Sequence, residues 1–318
     1  MRTAKNSVSS AMMDMCNGPM ARNIIRFAIP LMISRLTQLL FNAADIIVVS
    51  NFCGEDALAA VGSTTSLINL LLNLLVGMST ATNILAARHL GEGRFDKVSK
   101  LAHTSVLISL SSGIFFAILG ILISRPALVL MKSPENVIDL STLYLRIYCM
   151  GIPASIVYNF GAALLNAKGD TKKPLYIISV SGVINFLLNL FFVTVLKMSV
   201  DGVAYATIIS QYISAARIIN CLVKDESPVH IDIKKLKLYK EHVADILKIG
   251  IPSGLQGMVF SFSNMTVQSS VNYFGKDVMA AYAATNSIQG FLYTVCNAST
   301  TLHSLLQVRM SVRVSGTE

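Results

Sequence analysis

The sequence predicts an all-α, polytopic integral membrane protein: a six-helix bundle followed by the first two helices of a parallel second repeat. Three observations carry this prediction. The chain of 318 residues is 53% hydrophobic and only 14% charged, whereas a soluble domain carries about 25% charged residues, so a water-soluble fold has too little polar surface to cover it. Its charges leave long gaps wide enough to cross a bilayer. Its basic residues gather on alternate connections between those gaps.

The stretches 57–87, 101–124, 147–167, 174–196, 249–275 and 278–308 contain no Asp, Glu, Lys or Arg. Each reaches the roughly 20 residues that an α-helix needs to cross the hydrocarbon core. Two further spans are interrupted: 27–50 by Arg35 and Asp45, and 202–223 by Arg217 near its end. Together they predict eight helices. The irregular backbone between them is expected outside the lipid, where water can satisfy its hydrogen bonds. The polar first 20 residues lack the apolar core and small-residue cleavage site of a signal peptide, so the first helix is expected to direct insertion.

The formal net charge of +9 follows topology rather than a nucleic-acid surface. Basic residues cluster at Arg2, Lys5, Arg22 and Arg26, at Arg88, Arg94, Lys97 and Lys100, at Lys168, Lys172 and Lys173, and from Lys224 through Lys248. The intervening connections hold only Arg125, Lys132, Lys197 and Lys276. By the positive-inside rule the basic connections and both termini are expected in the cytoplasm, in a multi-pass protein of the cell membrane. The five cysteines form no CxxC pair and read as small apolar side chains. The histidines are scattered without metal-ligand spacing, so no metal and no cofactor is expected.

An internal repeat organises the chain. Residues 24–30 (IIRFAIP) match 246–252 (ILKIGIP), and Gly54, Asp56, Ala59, Ala60 and Ser66 match Gly275, Asp277, Ala280, Ala281 and Ser287 after a one-residue gap. An even number of helices separates the copies, so both have the same orientation in the membrane, an arrangement that secondary transporters use with substrate between or within the halves. The expected domains are a six-helix lobe at 1–223, a basic cytoplasmic linker at 224–245, the first two helices of an incomplete second lobe at 246–308, and a tail at 309–318.

These residues resemble the multidrug and toxic compound extrusion (MATE) family. The resemblance rests on Pro30 to Asp45 with Gly54, Ala59 and Ala60, on the loops Gly91-Glu92-Gly93-Arg94-Phe95 and Gly169-Asp170-Thr171-Lys172-Lys173-Pro174, and on Asn185, Asn189 and the run from Gly202 to Thr207. It covers roughly residues 20–300 and implies cation-coupled export, on H+ or Na+, of drugs or small organic, often cationic, compounds. It also implies that Asp45, Asn185, Asn189 and Thr207 border a cavity tied to cation coupling. In the family an acid often stands where this chain has Asn189.

The residues point to the same place. Of the 17 acidic residues, Asp45 alone lies well inside an expected span, and an ionised carboxylate there is costly unless paired, hydrated or protonated. Ser34, Gln38, Asn42 and Asp45 recur at helical spacing along one face. Ser181, Asn185 and Asn189 do the same on helix 5, and Asn159 on helix 4 is a further candidate. Ser66, Asn69, Asn73, Gly77 and Thr80 on helix 2 line a path or join helices, as small and amide residues do in membranes. Gln256, Asn264 and Gln268 on helix 7 expect partners from a complete second lobe, so that helices 7 and 8 are expected to be less stable than the first lobe.

Two alternatives to export remain open. One is a flippase of lipid-linked or polysaccharide precursors in the same superfamily, which a basic cavity would favour. The other is an inactive truncated fragment. A membrane enzyme is not expected, because no paired carboxylates, His-rich helix or serine elbow is present. The sequence leaves the oligomeric state open.

Overall fold

The computed structural model describes residues 20–130, 135–272 and 292. Among these residues the chain is helical, with α1 at Met20–Phe52, α2 at Glu55–Gly91, α3 at Phe95–Leu130 and α4 at Glu135–Lys168. Then come α5 at Lys172–Leu190, which continues into a π-turn at Phe191–Val195, α6 at Val200–Val223, a short 3-10 turn at Ile233–Lys235, and α7 at Lys240–Asn272. The helices overrun the charge-free stretches, since only the portion inside lipid must be apolar. Thus α3 begins six residues before 101, carrying Lys97 and Lys100 on its first turns.

Six helices, α1 to α6, are long and apolar enough to cross a membrane. Helix α7, expected as a seventh span because 249–275 carries no charge, is not among them; Ser253, Gln256, Ser261 and Ser263 dilute its apolar residues. The expected eighth span at 278–308 lies outside the described residues, apart from Leu292 in a helical turn. So do the tail at 309–318 and the second copy of the Gly54 to Ser66 repeat.

Helix α4 is the centre of the bundle. It packs on α2, α3 and α6, and 72% of its best span is buried against 17% for α1. Phe160, Ile152, Ile156, Leu164 and Leu165 on α4 are fully enclosed. Helix α1 docks mainly on α5. Pro30 in α1 and Pro252 in α7 stand at matching places in the repeat; each removes one helical N–H and leaves the carbonyl four residues earlier without its usual donor.

Helices α2 and α7 pack closely along their length. A Cβ on Gly77 would lie 2.3 Å from the backbone nitrogen of Gly254, so the two backbones touch and only glycine fits. Asn73 of the helix 2 stripe donates to Ser261 Oγ at 2.6 Å. At the other end of this interface the rings of His89 and His242 meet edge-on, 5.8 Å apart. Gln256 is exposed, and the side chains of Asn264 and Gln268 lie outside the described residues.

Within the stretch expected as linker, helix α7 begins at Lys240, with Glu241 in its first turn and Ile246 fully buried; before the helix runs the segment 224–239. It lies flat on the bundle. Val229 and Ile231 are buried, Asp232 N–H donates to His103 Nε2 at 3.1 Å, and Tyr239 N–H donates to Thr104 Oγ1 at 3.3 Å. His103 uses its other ring nitrogen on Ser99 O at 2.7 Å, a network that assigns the proton to Nδ1.

Candidate cation-coupling site

Helix α1 carries Asp45 about two turns before its end, and the approach of α1 to α5 places it. Gly182 makes that approach close: a Cβ there would sit 1.9 Å from the ring of Phe41, one turn before Asp45. The buried face of α5 then presents Ser181, Asn185 and Asn189 in succession. Asn189, fully buried, donates from Nδ2 to Asp45 Oδ1.

Asn185 completes the cage. With its amide nitrogen toward the carboxylate it donates to Asp45 Oδ1 at 2.9 Å, and its oxygen accepts from Thr207 N–H at 3.3 Å; amide orientation is assigned by such networks. Thr207 Oγ1 itself donates to Val203 O at 3.0 Å. On the α4 side, Tyr144 and Tyr148, with rings 6.1 Å apart, stand within electrostatic reach of the carboxylate. No ion pair to Asp45 occurs among the described residues. The nearest cation on its own helix, Arg35, is ten residues away, roughly 15 Å along the axis. Asn189 Oδ1 is buried and receives no hydrogen bond.

The structure thus brings together Asp45, Asn185, Asn189 and Thr207. It does not bring in the other three sequence candidates. Gln38 Oε1 accepts from Arg35 Nη1 at 3.5 Å, Asn42 is exposed, and Asn159 donates to Ser155 O on its own helix at 2.8 Å. Tyr144 and Tyr148 were not singled out by sequence; their four-residue spacing on a helix that also carries polar residues was the available signal.

A second polar cluster lies on the linker side. Glu92 Oε1 accepts from Arg88 at 2.9 Å, and its Oε2 lies 3.3 Å from Arg94 and 3.4 Å from His89 Nδ1. Burial pushes the Glu92 carboxyl up, but the hydrogen bonds from Arg88 and His89 and the charges of Arg94 and Arg88 outweigh it and hold the group below its ordinary range. Lys168 pairs with Asp225, and Lys173 bridges Asp170 at 3.1 Å and Asp225 at 3.6 Å. The two glycine-containing loops therefore serve as clamps; Gly93 and Gly169 supply their positive φ angles of 69° and 98°.

The model of the MatE family matches residues 30–191, half of the chain and the part that contains Asp45, Asn185 and Asn189. The chain belongs to the MatE family. It is 30% identical over 279 residues to the probable multidrug resistance protein YpnP of Bacillus subtilis, covering 88% of this chain and 62% of that protein. It is 29% identical over 278 residues to the same organism's YoeA, covering 85% and 60%. The chain thus spans about three fifths of the length of these MatE relatives. Among solved structures, a MOP superfamily transporter from Pyrococcus furiosus superposes with a TM-score of 0.84 at 26% identity, over 92% of this chain and 65% of that one. MATE structures in bent and straight conformations superpose with TM-scores of 0.81 and 0.83 at 26% and 25% identity, covering 91% and 92% of this chain and 66% and 65% of theirs. The all-helical membrane fold is the family's.

Proposed function

We propose that this chain is the cation-coupled part of a secondary transporter that exports small organic, often cationic, compounds, and that Asp45 carries the coupling proton. The observation that supports this reading is a carboxylate inside a span that is held by two amides and, among the described residues, by no cation. An amide can serve both protonation states. Facing Asp45 with nitrogen, Asn185 and Asn189 donate to the carboxylate; turned about their last torsion, either accepts from the carboxylic acid. Proton uptake then changes which contacts α5 makes with α1, and with them the fit of the stripe on α1 to substrate.

The full transport cycle is part of this proposal, because the relatives named as multidrug resistance proteins are longer than this chain. The linker face, rich in Lys and Arg, is the cytoplasmic one. The flippase alternative has less support: the site holds an acid and amides, whereas a phosphate-bearing lipid precursor calls for a basic cavity.

Reconstitution tests the reading. In proteoliposomes loaded with a fluorescent organic cation, an inward proton gradient drives efflux by the unaltered protein. Asp45→Asn still binds the cation, yet its efflux no longer responds to the gradient. Efflux by Asp45→Asn that follows the proton gradient undiminished rules out Asp45 as the proton carrier. A response to a sodium gradient instead identifies Na+ as the ion at the same oxygens.

A further inference from the structure

We propose that the crevice between α5 and α6 on the linker side binds the headgroup of an anionic phospholipid, with Arg217 on its phosphate. The crevice measures about 90 Å³, and its walls include Tyr176, Arg217 and Asn220 toward the helix ends, with Val180, Ser181 and Ile213 deeper. Its polar groups are stacked by depth. Tyr176 stands four residues into α5 and Arg217 six residues before the end of α6, roughly 6 Å and 9 Å below the helix ends at about 1.5 Å per residue. A bilayer of about 40–45 Å around a core of about 30 Å leaves roughly 5–8 Å of headgroup region on each side. The Arg217 backbone thus lies just below the headgroup region, and its long side chain, snorkelling toward the helix end, brings the guanidinium to the phosphate layer, with the apolar walls of Val180 and Ile213 continuing toward the acyl chains.

Two further facts point to an occupant. Arg217 makes no ion pair among the described residues; of the acids at this end, Asp170 and Asp225 are held by Lys168 and Lys173, and Glu226 is exposed on the linker. Lys172 and Lys224, at the adjoining ends of the same two helices, are exposed and likewise form no ion pair among the described residues. Deeper in the crevice, Ser181 is only 3% exposed and its Oγ has no hydrogen-bond partner. A buried hydroxyl is normally satisfied, and a glycerol or ester oxygen at that depth would accept its proton. Three unpaired cations favour a lipid of net negative charge over a zwitterionic one. The exposed ring of Tyr176 suits the interface, where aromatic residues gather. The apolar walls below Arg217 distinguish a lipid from free phosphate.

Native mass spectrometry of the purified protein in mild detergent tests this without any transport readout. With phosphatidylglycerol and phosphatidylcholine added in equal amounts, the unaltered protein retains phosphatidylglycerol preferentially. Arg217→Gln weakens that retention about fivefold. Val180→Trp, which fills the crevice and leaves every charge in place, weakens it to a similar degree, and Arg125→Gln on the opposite face does not. Retention by both crevice variants at the unaltered level overturns the proposal, as does equal retention of the two lipids. Displacement of phosphatidylglycerol by millimolar inorganic phosphate also overturns it, in favour of a free-anion site.

Discussion

Asp45 and Asp225 are both carboxylates drawn out of water, and the molecule holds them in opposite ways. Asp225 is buried beside Lys168, with Lys173 at 3.6 Å and Ser227 N–H donating to its other oxygen at 2.9 Å. Burial pushes its carboxyl up, but the hydrogen bonds from Lys168 and Ser227 and the Lys168 charge prevail and hold it below the usual carboxylate range. Asp45 meets neutral amides from α5 and, among the described residues, no cation. A charge met by a charge is fixed in one state, whereas a charge met by dipoles that can turn round is free to change state. The first arrangement fastens the linker to α4, and the second leaves inside the bundle a carboxylate that the proposed coupling would protonate.

The largest effect should come from unbalancing the fixed pair. Asp225→Asn leaves the Lys168 ammonium buried with no counter-charge, which is expected to cost about 3–5 kcal/mol, read by thermal unfolding in detergent. Replacing both partners by apolar residues of similar volume should recover most of that loss. The pH dependence has a definite sign. The folded-state value of Asp225 lies below its unfolded one, so its contribution is full above the ordinary carboxylate value, about 4, and is lost as pH falls through the lowered folded value.

Next in size is an attempt to turn the Asp45 site into a charged pair. Asn189→Asp places a second carboxylate against Asp45, and two like charges at contact do not both ionise. The variant should bind one additional proton at neutral pH, visible as a new carboxylic C=O band by infrared spectroscopy. It should also lose about 2 kcal/mol of stability on raising the pH far enough to remove that proton. Asp45→Asn is expected to change stability by less than about 1 kcal/mol, since amide can replace carboxylate in the same hydrogen bonds. A loss as large as that of Asp225→Asn would make Asp45 a structural anchor.

How far each site could be read from the sequence follows from the kind of signal it leaves. The spans were legible because an absence of charge over some 20 residues is a one-dimensional property. Helix ends were not, since residues such as Lys97 and Glu241 are compatible with helix once it leaves the lipid. Asn185 and Asn189 announced themselves by their four-residue spacing on α5. On α1 the same reasoning overreached. At about 100° per residue Asn42 lies roughly 60° round the helix from Asp45, enough to miss α5, and Gln38 has Arg35 one turn away. The Lys168–Asp225 pair left no periodic trace, because its partners come from different elements and only the packing of the linker brings them together.

The smallest expected effect separates burial from ion pairing itself. Lys97 and Glu241 also form an ion pair that ties α3 to the start of α7, at 3.7 Å, but their side chains are 39% and 73% exposed. Water already solvates both groups, so little desolvation is reversed when either is neutralised. Glu241→Gln is therefore expected to alter stability by no more than about 0.5 kcal/mol, and added salt should erase even that difference. The comparison needs this third carboxylate because Asp225 differs from Asp45 in two respects, its cationic partner and its lower exposure. If Glu241→Gln destabilised the protein as much as Asp225→Asn, pairing alone would explain the clamp and burial would not matter. A negligible change beside a large one at Asp225 assigns the difference to the removal of water from around a charge.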